Sequence, residues 1–200
     1  KTGFELLPSL GSNSYSYFSL NFDLRNYHHF GKGYGLALRL TAGASGGKNP
    51  KLYYLGGAES WLNWELGSSE IYTIRSMYFS EIITPLRGYA LFELVGTKYY
   101  LANIELRYPF INELRLGFPL PITIRGLRGG IFADIGGAFD KPTLFRGVKN
   151  GGLNHIKLGV GCGIRTGISF LLFSWDIGWA TDLVHISPHP THYLTLSTEF

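Results

Sequence analysis

The sequence predicts an all-β, antiparallel protein, and three observations carry that reading. Apolar and polar residues alternate with a period of two in segment after segment. That is the pattern of strands with one apolar and one polar face. Most of the segments run to about 9–13 residues, against about 5–6 in ordinary soluble sheets and about 9–11 for a membrane-crossing strand. Charged residues make up only 16% of the 200-residue chain, while aromatics also reach 16% and Gly 27. Soluble domains carry about 25% charged residues.

The elements follow in order. A partial strand lies near 1–8. Over 15–27, Phe18, Leu20, Phe22 and Leu24 oppose Tyr17, Ser19, Asn21, Asp23 and Arg25. Over 34–44, Leu36, Leu38 and Leu40 oppose Ala37, Arg39 and Thr41. The stretch 45–97 breaks the pattern and reads as a long loop; its part 59–83, with Trp61 and Trp64, forms no amphipathic helix and is a possible surface cap. Alternation resumes over 98–108, where Tyr100, Ala102, Ile104 and Leu106 oppose Tyr99, Leu101, Asn103, Glu105 and Arg107. It continues over 131–139, with Ile131, Ala133 and Ile135 against Phe132 and Asp134. Over 156–165, Leu158, Val160, Cys162 and Ile164 oppose three glycines and Arg165. Over 171–180, Phe173, Trp175, Ile177 and Trp179 oppose Ser174, Asp176 and Gly178. The last strand, 191–200, sets Leu194, Leu196 and Phe200 on one face.

Alternation alone fits both a soluble β-protein, which hides its apolar face, and a membrane barrel, which turns it to lipid. Three features favour lipid. The polar faces carry Gly, Ser, Thr, Tyr and both charge signs rather than a Lys/Glu coat. Aromatics such as Tyr15, Tyr27, Tyr34, Tyr108, Phe110 and Trp179 mark strand ends, where interfacial girdles belong. The chain also closes an alternating strand on an aromatic, Phe200. Lipid tolerates no open sheet edge, so seven or eight such strands close as a small barrel or belong to a bigger one. No apolar run approaches the roughly 18 residues of a membrane helix. A net charge of +4 without a Lys/Arg cluster gives no footprint for nucleic acid. One Cys forms no internal disulfide. The chain opens on Lys1 with no visible signal peptide, as a mature chain or a piece of a longer one would.

Several motifs stand in a fixed order: Tyr54-Leu55-Gly56-Gly57, Leu86-Arg87-Gly88-Tyr89, Asn103-Ile104-Glu105-Leu106-Arg107-Tyr108-Pro109, Phe132-Ala133-Asp134-Ile135-Gly136, Gly159 to Arg165, and terminal Phe200. This ordered set resembles the C-terminal half of the bacterial surface antigen family, outer-membrane barrels of the BamA/TamA assembly-factor type. The resemblance implies the last seven or eight strands of a barrel of roughly sixteen, in the size range where a lumen opens. Residues 1–200 would then be the C-terminal part of that barrel domain. The loop 45–97 would fold back into the lumen with Arg87, Gly88 and Tyr89 at its tip. The resemblance pairs Arg87 with inner-wall acids that fall on Glu105 and Asp134. The residues agree on their own terms, because both carboxylates lie on polar strand faces and a shielded guanidinium needs such partners. The last strand resembles the C-terminal recognition signal of such barrels, with Leu194, Leu196 and Phe200 as its lipid-facing side.

The function implied is insertion or translocation of proteins at the bacterial outer membrane. Its partners would be the lipid bilayer, client outer-membrane or secreted proteins, and the barrel-assembly machinery during biogenesis. The alternatives are a passive pore, or an anchor for a soluble N-terminal domain. A soluble partner-binding β-sandwich is the third reading. No enzyme, cofactor or metal site is read. Gly43-Ala44-Ser45-Gly46-Gly47 matches the nucleophile elbow, yet Lys48-Asn49-Pro50 follows where that motif needs a helix. His185, His189 and His192 sit between prolines with no carboxylate or Cys to complete a metal set. Cys162 lies on an apolar strand face, where a thiol is inert. Gly159, Gly161 and Gly163 lack the Lys-Ser/Thr of a phosphate loop and instead leave room in the lumen for the loop. Asp176 and Glu199 read as inner-wall charges matched by Arg39, Lys157 or Arg165.

Overall fold

The computed structural model describes residues 1–8, 16–58, 79–117, 122–140, 148–149, 152–153, 156–168 and 171–198. Among the described residues thirteen strands follow one another. The first three are β1 (Thr2–Leu7), β2 (Tyr17–Gly31) and β3 (Tyr34–Gly47). Three short ones come next, β4 (Leu52–Leu55), β5 (Ser80–Ile83) and β6 (Leu94–Gly96). The two longest are β7 (Lys98–Leu116) and β8 (Ile122–Phe139). After the small hairpin β9 (Val148–Lys149) and β10 (Gly152–Leu153) come β11 (Lys157–Ile168), β12 (Leu171–Thr181) and β13 (Thr191–Thr198).

Eight strands form one antiparallel sheet in the order β1-β2-β3-β7-β8-β11-β12-β13. Every neighbour along it is also the next large strand in sequence, so the sheet is a meander. It does not close: β1 and β13 are its two edges. The connections differ at the two ends. At one end β2 turns into β3 through Lys32 and Gly33, and β11 into β12 within two residues. Lys32, with φ of 51°, and Gly33, with φ of 86°, make the first of these turns in the left-handed region. At the other end lie the long connections 48–97, 140–156 and 182–190. Short turns on one side and long loops on the other are the habit of outer-membrane barrels.

The burial is inverted relative to a soluble protein. On β2, Leu20 is 59% exposed and Ser19 is fully buried. Thr41, Asp134 and Asp176 are buried, while Leu40, Ile104, Ile131 and Trp175 face outward. No second layer covers the apolar face among the described residues. The fold is a transmembrane β-barrel wall, apolar outside and polar inside. Aromatics with exposed rings mark its short-turn end, at Tyr27, Phe30, Tyr34 and Phe110. Tyr15, Phe200 and the possible cap with Trp61 and Trp64 lie outside the described residues.

The polar face is buried because the chain between β3 and β7 lies against it. Part of the stretch expected to be plain loop is a three-stranded sheet, order β5-β4-β6, with β4 parallel to β5 and antiparallel to β6. Its strands are three and four residues long, too short for a period of two to register. Tyr53, Leu55, Ile83, Leu86 and Tyr89 from this insert pack on Tyr99 and Leu101 of β7. The only sizeable apolar core among the described residues therefore sits between insert and wall. β7 and β8 also run far beyond the 98–108 and 131–139 read from alternation, because a bulge at Phe110 shifts their register and hides the continuation.

Candidate functional site

The insert ends at its deepest point in Leu86-Arg87-Gly88-Tyr89, against β7, β8, β11, β12 and β13. Arg87 is 3% exposed. Its Nε donates to Asp134 Oδ2 at 2.7 Å and its Nη2 to Asp134 Oδ1 at 3.0 Å, a fork on one carboxylate. Its backbone N–H adds a third bond to Asp134 Oδ2 at 3.1 Å. The remaining Nη1 reaches Glu105 Oε2 at 3.1 Å and Asp176 Oδ2 at 3.2 Å. The guanidinium carbon lies 3.4 Å from the centre of the Phe132 ring, within cation–π range.

The wall acids are themselves held. Asn103 Nδ2 donates to Asp134 Oδ1 and to the carbonyl of Pro85, each at 2.8 Å. Arg107 Nε donates to Glu105 Oε1 at 2.7 Å. Arg165 Nη2 donates to Glu105 Oε2 at 2.9 Å and lies 3.7 Å from Asp176. Arg87, Arg107 and Arg165 thus face Glu105, Asp134 and Asp176, and the formal charges cancel. Burial pulls the Arg87 guanidinium down, but the bond and charge of Asp134, with Asp176 and Glu105, hold it above its ordinary value.

Gly88 and Tyr89 fit by shape. Gly88 has φ of 97°, and a Cβ there would lie 2.7 Å from the Trp179 carbonyl carbon. Its N–H donates to Tyr193 Oη at 2.9 Å, and that hydroxyl donates to the Tyr89 carbonyl at 2.6 Å. Tyr89 Oη donates to the Leu158 carbonyl at 3.1 Å. The wall is hollowed to match. A Cβ on Gly159 would land on the Arg87 carbonyl oxygen, and one on Gly178 would lie 2.7 Å from Gly88 N.

The structure therefore brings Arg87, Gly88, Tyr89, Glu105 and Asp134 together. Four further contacts escaped the sequence: Asp176, Phe132, Asn103 and Tyr193. All four lie on polar strand faces, which alternation identifies, but their depth along the strand depends on register. Arg39, offered as a partner of Asp176, instead pairs with Asp23 at 3.0 Å. Leu194 is exposed on the outer face. Leu196 is half-buried. Phe200 and Glu199 are not described. Ser45 of the elbow-like motif lies inside β3, where its Oγ donates to the Phe18 carbonyl and accepts from Lys51 N–H.

A second polar contact holds the insert near β1. Lys51, 9% exposed, bonds Glu5 of β1 at 3.0 Å and Glu81 of β5 at 2.8 Å. Burial lowers the ammonium, but the two carboxylates outweigh it and hold it above the ordinary lysine range.

The sequence pattern of the Omp85 superfamily domain matches residues 1–187. No curated protein matches the chain.

Proposed function

The chain belongs to the Omp85 superfamily, and on that premise we propose that it inserts or translocates proteins at the bacterial outer membrane, with the Arg87 insert as the lock of its lumen. The superfamily is one of outer-membrane insertion and translocation. What supports the lock is one observation: a guanidinium almost shut off from solvent, matched by three wall carboxylates on β7, β8 and β12. Such a cluster releases only as a unit, because freeing Arg87 strands Asp134 in a dry site. Breaking a buried pair in this way costs about 3–5 kcal/mol. In this reading the insert would have two positions, seated and withdrawn. Client chains, lipid and, during biogenesis, the assembly machinery are the partners of this reading. Leu194, Leu196 and Phe200 would form the signal read by that machinery.

The test uses vesicles carrying the protein. Wild type should speed insertion of an outer-membrane client or its passage across the bilayer, and Arg87→Ala should change that rate together with protease access to residues 79–97. Vesicles that leave clients unaffected while Arg87→Ala alters only ion conductance would sink this reading. That result would favour a passive pore or an anchor for a soluble N-terminal domain, a reading that the full charge balance of the seat also suits.

A further inference from the structure

Next to the Arg87 seat the inner face opens into a cavity of about 1290 Å³. The insert bounds it with Thr84 and Pro85, and the wall with Arg107, Arg128 and Arg165 together with the carboxylates of Glu105 and Asp176. These three arginines stand on adjacent strands β7, β8 and β11. Arg128 is directly opposite Arg165 in the β8–β11 ladder and opposite Pro109 in the β7–β8 ladder. Arg107, paired with Gly130, is its diagonal neighbour.

Two of the three are matched by carboxylates. Arg165 forks onto Glu105, and Arg107 bonds Glu105 through Nε. Those interactions belong to the neutral cluster already described. Arg128 adds one positive charge to it. Among the described residues Arg128 has no hydrogen bond or ion pair. Like charges directly opposite in a ladder destabilise a sheet, so a wall serving structure alone would not place Arg128 against Arg165. The floor around it is bare. A Cβ on Gly126 or Gly167 would meet nothing within 4 Å, and one on Gly130 nothing nearer than 3.7 Å.

We propose that Arg128, flanked by Arg107 and Arg165, is a binding site for a phosphate-type oxyanion on the inner wall. Arg128 offers a whole guanidinium fork, and the terminal nitrogens of Arg107 are left over from its bond to Glu105. Guanidinium donors from the adjacent strands β7 and β8 suit a tetrahedral anion, which accepts from several directions, while Arg165, forked onto Glu105, adds its charge alongside. A free phosphate and a lipid phosphate share this chemistry.

The full chain folded in neutral detergent micelles tests it, with inorganic phosphate as probe and chloride at equal ionic strength as reference. The thermal midpoint of wild type should rise by a few degrees and saturate with phosphate, but not with chloride. Arg128→Gln should lose that rise. It should also unfold higher than wild type in phosphate-free buffer, because the repulsion of Arg165 is gone. Arg128→Lys, which keeps the charge but not the fork, should retain part of the response. Arg115→Gln, on an exposed part of β7, should respond as wild type does. Micelles doped with phosphatidylglycerol distinguish the source. If they raise the midpoint and abolish the phosphate response, the occupant is a lipid headgroup; if phosphate still acts, it is the free anion. An equal response to chloride, or an unchanged response in Arg128→Gln, would overturn the site. So would an Arg128→Gln protein that is less stable and blind to phosphate, since the guanidinium would then already be matched within the chain.

Discussion

Arg87 engages Asp134 through Nε and Nη2 and leaves Nη1 to Glu105 and Asp176. Charge alone does not reproduce that division. Arg87→Lys should therefore fall well short of wild type, and Arg87→Ala should lose about 3–5 kcal/mol, read as a lower thermal midpoint and faster cleavage within 79–97. Exchanging Arg87 and Glu105 should not restore the seat. The fork on Asp134 would be lost, and a carboxylate would take its place beside two others. Tyr193→Phe removes a hydroxyl that serves both Gly88 N–H and the Tyr89 carbonyl. It should cost about 1–3 kcal/mol, measured in the same melt. Wild-type stability in that variant would mean that the bridge contributes nothing. Arg87, Glu105 and Asp134 are legible in the amino-acid sequence through the family resemblance that the ordered motifs carry, and the polar strand faces of the two acids agree with it. Asp176 is legible there as an inner-wall charge but not as a partner of Arg87. Neither Tyr193 nor Phe132 is legible as a contact of the Arg87 tip, because alternation gives a side chain its face and says nothing of its depth.

The large strands owe their orientation to that same alternation, and the outer face gives a test of it. Leu40 is half-exposed in the middle of β3. In a soluble sheet, an arginine at an exposed leucine is nearly neutral. On a lipid face near the bilayer midplane it costs about 2–4 kcal/mol. Leu40→Arg should fold poorly into vesicles, seen as lost heat-modifiable migration on a gel, while remaining compatible with the insert. Efficient folding of this variant would contradict the lipid-facing assignment. The eight sheet strands are legible in the sequence, with the bounds of β7 and β8 understated. β4, β5 and β6 are not, since segments of three or four residues hold at most two repeats of the period. They form because the wall already offers Tyr99 and Leu101 as a surface to pack on.

Across the whole molecule the insert reaches from one edge of the open sheet to the other. Lys51 ties it to Glu5 on β1, and Gly88 and Tyr89 tie it to Tyr193 on β13. Lys51→Gln should loosen β1 selectively. Its amides should exchange faster with solvent while those of β11 and β12 stay protected. Equal protection of β1 in both proteins would remove Lys51 from this role. The folded ammonium sits above its unfolded value, so its contribution is complete below the ordinary lysine range and is lost as pH rises through the higher folded value. Near neutral pH this tie should therefore be insensitive to pH.

The place of Tyr193 in the chain has a consequence for timing. The Arg87 tip emerges from synthesis ahead of β7, β8, β11, β12 and β13, the strands that hold it. Asp134, Leu158, Asp176 and Tyr193 arrive in that order, and the last lies more than a hundred residues after Gly88. A chain that stopped short of β13 could lay down most of the wall and still leave the Gly88 amide and the Tyr89 carbonyl without their hydroxyl. The tip can be fully satisfied only when β13 is in register. Seating of the tip is thus coupled to the pairing of β13 with β12, a strand far from it in sequence.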